Sequence, residues 1–145
     1  MTVTVRAIEA ADHDTWADLF VAYGVFYETA FSTEVVESTW SRLITEGSGI
    51  DALVAVTDDA VVGFAHYRSH PDTFSTGRDW YLDDLYTAPE SRGTGAGTAL
   101  IERLKELSAS SGTLRWITAE SNATAQRLYD KVAARTTWVT YEVRG

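Results

Sequence analysis

Three glycines at alternate positions, Gly93, Gly95 and Gly97, stand directly behind Arg92 and ahead of an apolar run of helical spacing, in "SRGTGAGTALIERL". Glycine loses more conformational freedom on folding than any other residue. A cluster of three at a helix entrance is therefore expected where the backbone must come close to something a side chain would exclude. Phosphate is the group that best fits. Successive backbone N–H groups and the positive end of a helix dipole can surround it. A Walker loop needs Gly-Lys-Ser/Thr, whereas Gly97 is followed by Thr98 with no lysine nearby. A dinucleotide fingerprint counted from Gly93 reaches Thr98 where it needs Gly or Ala. Arg-x-x-Gly-x-Gly is satisfied by Arg92, Gly95 and Gly97 and suits a pyrophosphate. A glycine-rich strand-to-helix turn that binds nothing is the alternative.

The chain around this loop has 145 residues, enough for one domain (1–145) with a sizeable core, and its 45% hydrophobic content excludes disorder. With no apolar run near the roughly 20 residues of a membrane span and no signal-peptide pattern, a soluble cytoplasmic protein is expected. A net charge of −9 opposes nucleic-acid backbones and membrane surfaces and favours a cationic partner, unless the acidity serves solubility alone. The absence of cysteine removes disulfides, thiolate zinc sites and a sulfur nucleophile together. His66 and His70, four apart in strand-like sequence, lack the same-face geometry of a zinc pair, so no metal is expected.

Alternation in "VTVRAI" predicts a first strand. Asp12 or Asp14 can cap the helix through "WADLFVAYGVFY", and Ser32-Thr33 opens a second helix, "EVVESTWSRLI". "DALVAVT" and "AVVGFAHYRSH" read as a hairpin about Asp58-Asp59, and "DWYLDDLYT" as a third strand of the run. Leu100, Ile101, Leu104 and Leu107 mark the face of the helix behind the glycine loop. "TLRWITAE", a helix capped by Asn122, and a last strand "TTWVTYEV" complete the order β-α-α-β-β-β-α-β-α-β. This is an α+β domain. Trp116 and Trp138 read as core residues.

The stretch from Val61 to Leu104, followed by "LRWITAESNATAQRLYDKVA", resembles the GCN5-related N-acetyltransferase (GNAT) superfamily, most closely its small polyamine, amino-acid and histone-type acetyltransferases. The resemblance implies an α/β/α sandwich around a mixed, mostly antiparallel sheet with a splayed cofactor-binding strand. It also implies acetyl-CoA as cosubstrate and an amine as acceptor. By position, Leu85, Tyr86 and Thr87 would run along the acetyl and pantetheine arm. Arg92, Gly93, Thr94, Gly95, Ala96 and Gly97 would hold the pyrophosphate, and Asn122 and Tyr129 would flank the thioester. Many relatives have glycine where Ala133 stands, which puts the local turn in question.

An amine attacking a thioester needs a neutral nucleophile, a stabilised oxyanion and a proton for the departing thiolate. Adjacent strand residues point to opposite faces, so at most one of Asp83 and Asp84 points directly into the cleft. That carboxylate is expected to bind the ammonium and pass its proton to water; the other reading is that both aspartates solvate a loop or hold an arginine. Tyr129 is the candidate general acid, or else a packed core tyrosine. The Leu85 N–H would serve the oxyanion. Tyr23, Phe26 and Tyr27 fall where relatives cover the acceptor site, so Tyr27 is a candidate substrate contact, with core packing as the alternative. The expected activity is direct acetyl transfer in a ternary complex to a polyamine or amino acid, with a carboxylated acceptor needing Arg68 or Arg78. Protein lysine or N-terminal acetylation and a non-catalytic acetyl-CoA sensor are the alternatives. The apolar "TTWVTYEV" edge points to a homodimer.

Overall fold

The period-2 pattern of the central strands dictates the layers. In a computed structural model describing residues 2–145, β2 (Asp51–Thr57) sends Ala52 and Val54 to one face and Leu53 and Ala55 to the other, all buried. A strand buried on both faces must be covered twice. On one face α1 (His13–Phe26) and α2 (Thr33–Ile44) pack Trp16, Phe20, Trp40 and Leu43 against Val54, Phe64 and Tyr86. On the other, α3 (Ala96–Ser108) sets Leu100, Ile101 and Leu104, all fully buried, against Leu53, Ala65 and Leu82. Here α4 (Ala123–Val132) adds Tyr129 and Val132.

The sheet runs β1-β2-β3-β4-β5, with β1 at Thr4–Ala7, β3 at Ala60–Pro71, β4 at Arg78–Thr87 and β5 at Gly112–Arg115. Three antiparallel pairings and one parallel pairing, β4 with β5, make it a mixed sheet between helices. Asp58 and Asp59 turn the β2–β3 hairpin with φ of 51° and 64°, the left-handed pair that a two-residue turn requires. Ser32 caps α2 through Oγ, which accepts the Val35 N–H at 3.2 Å. Asp12 stands at the start of α1, yet its carboxylate accepts from Arg6 and from the Glu9 N–H instead of capping the helix. Among the described residues no helix is long and apolar enough to cross a membrane.

Three sequence expectations need correction. "TTWVTYEV" forms no strand: residues 134–145 make no ladder, and Trp138, Tyr141 and Val143 are 86%, 91% and 101% exposed, so Trp138 is no core residue. Alternation made the segment look like a strand, but a strand also needs a neighbour. β5 likewise ends at Arg115 instead of running on through Glu120. Ala133 closes α4 with φ of −152°, extended backbone that makes no demand for glycine.

Candidate active site

The two parallel strands part early. β5 pairs with β4 only from Arg78 to Tyr81, so from Leu82 to Thr87 β4 is held by β3 alone and its other edge is open. Leu85, Tyr86 and Thr87 lie on this freed stretch. A cavity of about 50 Å³ opens where the strands separate, lined by Tyr23 of α1 and Tyr27 at its C-terminal cap, Leu82, Asp83 and Leu85 of β4, Trp116, Ile117 and Thr118 beyond β5, and Tyr129 of α4. Phe26 lies outside this lining and is more than half exposed.

At the C-terminal end of β4 the chain enters the glycine loop and α3. Gly93 and Gly95 have φ of 82° and 90°, a backbone region that L side chains rarely enter. A Cβ on either would meet nothing within 4 Å, whereas one on Gly97 would lie 3.5 Å from Leu128 Cδ2. Backbone conformation, not crowding by the protein, is thus what calls for glycine at 93 and 95. Gly95 is the N-cap of α3 and offers no side-chain cap. The N–H groups from Gly95 to Thr98 therefore lack helical partners, Ala99 being the first to bond back, to the Gly95 carbonyl at 2.9 Å. Arg92 is tethered beside them by its Nε donating to the Thr87 carbonyl at 3.1 Å, with its guanidinium 5.4 Å from the centre of the Tyr86 ring.

The acidic pair is split by a bulge. Register shifts between His66 and Tyr67, which pair with Asp84 and Leu82, leaving Asp83 as the extra residue. Asp83 lines the cavity and accepts Arg68 Nε through both oxygens at 3.1 Å, while the Arg68 guanidinium lies 4.6 Å from the Tyr81 ring centre. Arg78 is bonded to Ser69 through Nε and a terminal nitrogen, on the far part of the hairpin.

Asp84 lies on the α1 face. Its Oδ1 accepts the Tyr23 hydroxyl at 2.7 Å and its Oδ2 accepts His66 Nδ1 at 2.9 Å. Burial pushes the Asp84 carboxyl up, but the hydrogen bonds from His66 and Tyr23 outweigh it, leaving it below the usual carboxylate range. His66, 3% exposed, receives the indole N–H of the fully buried Trp16 on Nε2 at 2.9 Å.

Tyr129 stands across the cavity, its ring edge-on to Trp116 at 5.4 Å between centres. Burial, and then the proximity of Tyr27, hold its phenol above the ordinary value, so it carries its proton at neutral pH. Tyr23 is raised further, by burial, by Asp84, and by Tyr27 and Tyr129. Asn122 caps α4, with Oδ1 accepting the Ala125 N–H at 3.2 Å. Trp16 and His66 were not legible as site residues. No sequence signal marks either: the pairing of β3 with β4, shifted by the bulge, is what sets His66 opposite Asp84.

A splayed parallel pair, an uncapped helix entrance and a cavity lined by tyrosines and a carboxylate are the parts an acyl-CoA-dependent acyltransferase needs. The chain matches the acetyltransferase (GNAT) family over residues 13–133 and belongs to it. It is an N-acetyltransferase. It is 35% identical, over 99% of its length and 91% of the relative's, to the D-amino-acid N-acetyltransferase HPA3 of Saccharomyces cerevisiae. In fold it resembles a ribosomal-protein-alanine N-acetyltransferase from Brucella melitensis biovar Abortus 2308, with TM-score 0.83, 22% identity and full coverage of both chains. It also resembles AAC(6')-Iy in complex with the bisubstrate analog CoA-S-monomethyl-acetylneamine, with TM-score 0.83, 14% identity and coverage of 100% of this chain and 99% of that one. The family's acetyl donor is acetyl-CoA. Open space at Gly93 and Gly95, four uncapped N–H groups and Arg92 fit its pyrophosphate, and the free β4 edge fits an extended arm.

Proposed function

We propose that the chain acetylates the primary amine of a small cationic acceptor, with an amino acid preferred over a polyamine. The observation that carries this reading is the pairing of Asp83, which lines the cavity, with Arg68, which lies outside that lining: a carboxylate for the ammonium bonded to a guanidinium that can meet a carboxylate. Arg68 uses its Nε on Asp83, and its terminal nitrogens keep the planar fork that carboxylates match. The similarity to a D-amino-acid N-acetyltransferase supports the same choice.

Bound acetyl-CoA supplies the activated acetyl group. Leu85 to Thr87 and the loop from Arg92 to Gly97 hold it, and Asn122 fixes the start of the helix that carries Tyr129. At neutral pH an alkylamine of pKa ~10.4 is almost wholly protonated. Asp83 holds that ammonium and lets its proton leave to water at the open mouth of the cavity. Asp84, tied to His66 and Tyr23 and not part of the cavity lining, supplies negative charge and not the base. Tyr129 keeps a phenolic proton that can be given to the departing thiolate, and the second proton lost by the acetylated nitrogen restores the phenol. The Leu85 N–H serves the oxyanion, and no group of the chain is acylated. The test is thiol release with D- and L-amino acids, spermidine and a lysine peptide. Turnover of amino acids above spermidine is expected, and turnover of the peptide alone would refute the reading.

We infer in addition that the protein is a homodimer. The unpaired apolar segment 134–145 and the edge strand β5 support this, together with a groove of about 330 Å³ lined by Leu114, Trp116, Val132 and the end of α3. Such an edge and such a segment complement each other in a second copy. Sedimentation is expected to give a dimer that becomes a monomer when residues 134–145 are removed; a monomeric full-length chain would refute it.

A further inference from the structure

The Trp16–His66–Asp84–Tyr23 chain runs from the core into the cavity, and the direction of every hydrogen bond in it is fixed by its first member. An indole N–H can only donate, so His66 Nε2 accepts and the imidazole proton sits on Nδ1. That proton is donated to Asp84 Oδ2. Asp84 is a carboxylate with acceptors only, so its other oxygen takes the hydroxyl proton of Tyr23. Tyr23 lines the cavity, and its hydroxyl has its proton committed to Asp84 and only lone pairs to offer a bound group.

We propose that Tyr23 is the binding residue that accepts a hydrogen from the acceptor amine, and that Trp16, His66 and Asp84 are positioning residues that keep its hydroxyl pointing the right way. A phenol whose hydrogen is given to a carboxylate is polarised, and its oxygen is the better acceptor for it. In that state it meets an ammonium or amine N–H and turns away groups that can only accept. Its ring is clamped for the purpose: Tyr27 lies edge-on at 5.0 Å, with Phe64 at 5.8 Å and Tyr86 at 5.9 Å. The strong upward push on the Tyr23 phenol by burial and Asp84 keeps it un-ionised throughout the working pH range. Tyr23 and Asp83 line the same cavity, so the two can complement each other. This inference rests on the N-acetyltransferase reading and adds a specificity-determining residue to it.

Two substitutions distinguish binding from bulk structure. Tyr23→Phe removes only the oxygen. The expected result with D-lysine, L-lysine and spermidine as acceptors is a KM raised by about tenfold, the loss of one hydrogen bond to a charged group, with kcat and calorimetric acetyl-CoA affinity within about threefold of wild type. Asp84→Asn is the sharper test. His66 Nδ1–H still needs an acceptor, so the amide oxygen faces His66 and the NH₂ faces Tyr23, turning the phenolic hydrogen into the cavity. Acceptor KM is then expected to rise more than in Tyr23→Phe, because a lone pair becomes a donor facing an ammonium. Nitrogen-15 spectra of the wild-type protein are expected to show His66 as the Nδ1–H tautomer, and thermal melts verify folding of both variants. An acceptor KM within twofold of wild type in Tyr23→Phe, a smaller effect for Asp84→Asn than for Tyr23→Phe, or an Nε2–H tautomer would each overturn the inference while leaving the transferase reading intact. Wild-type protein that turns over none of a broad amine panel would overturn both.

Discussion

Gly95→Ala and Gly97→Ala differ by two positions and a single methyl, yet they are expected to move the protein in opposite directions. At position 97 the residue is helical, and a Cβ would rest 3.5 Å from Leu128 Cδ2 and 4.0 Å from Thr87 Oγ1, ordinary contact with the protein that leaves the backbone N–H in place. Replacing glycine by alanine there should stabilise by about 0.5–1 kcal/mol through helix propensity and a less flexible unfolded chain. At position 95 a Cβ meets no atom, but the backbone has φ of 90°, where an L residue costs about 1–2 kcal/mol. At roughly 2.1 cal/mol/K per residue, 145 residues give an unfolding entropy of about 0.3 kcal/mol/K. Gly97→Ala should thus raise Tm by about 2–3 °C and Gly95→Ala lower it by about 3–7 °C. Cofactor affinity should separate them further. Relief of the strain at 95 re-aims the N-cap N–H, and losing one hydrogen bond to a charged phosphate costs about 1.5–3 kcal/mol, roughly tenfold to a hundredfold in Kd. Gly97→Ala should bind CoA within about twofold of wild type. Calorimetric melting and CoA titration of both variants provide the check. Equal stability and equal CoA affinity for Gly95→Ala, or a large affinity loss for Gly97→Ala, would refute the argument that left-handed backbone is what the loop requires of its glycines.

Tyr129→Phe should lower turnover by more than about tenfold while leaving acetyl-CoA affinity nearly unchanged; wild-type turnover would remove the phenol from the chemistry. Stability should decline at both ends of the pH scale. Tyr23, Tyr67, Tyr81 and Tyr129 are all raised, chiefly by burial, so the stability they lend is full below the unfolded value of ~10 and drains as pH rises beyond it. Asp84, and Asp12 through its Arg6 bond, are lowered, so their contribution is present above ~3.9 and lost as pH falls through their folded values. Urea midpoints at pH 3, 7 and 11 test this, and a flat profile from 7 to 11 would contradict the burial of these phenols. Gly112→Ala would drive a Cβ into the Arg78 carbonyl where β4 and β5 first pair, and should destabilise by about 1–3 kcal/mol. A wild-type Tm in that variant would mean the strands are not so closely apposed.

What was legible in the sequence was whatever is encoded within a few residues: the β2–β3 turn at Asp58-Asp59, the Ser32 cap, the apolar face of α3 and the glycine loop before it. What was not legible depends on registration between distant segments. His66 looked like an ordinary strand residue because nothing near it in sequence reveals that it faces Asp84 or that Trp16, fifty residues earlier, lies against it. The same register explains the acidic pair. Simple alternation allowed one aspartate at most to face the cleft, but the bulge at Asp83 lets both serve one cavity. Asp83 lines it directly, and Asp84 acts through the hydroxyl it holds. A bulge has no sequence signature here, since neither Asp83 nor its neighbours include glycine or proline. The division of labour follows from it: Asp84 is tied into the Trp16, His66 and Tyr23 chain on the α1 face, whereas Asp83, which the bulge displaces from the ladder, is the aspartate that lines the cavity.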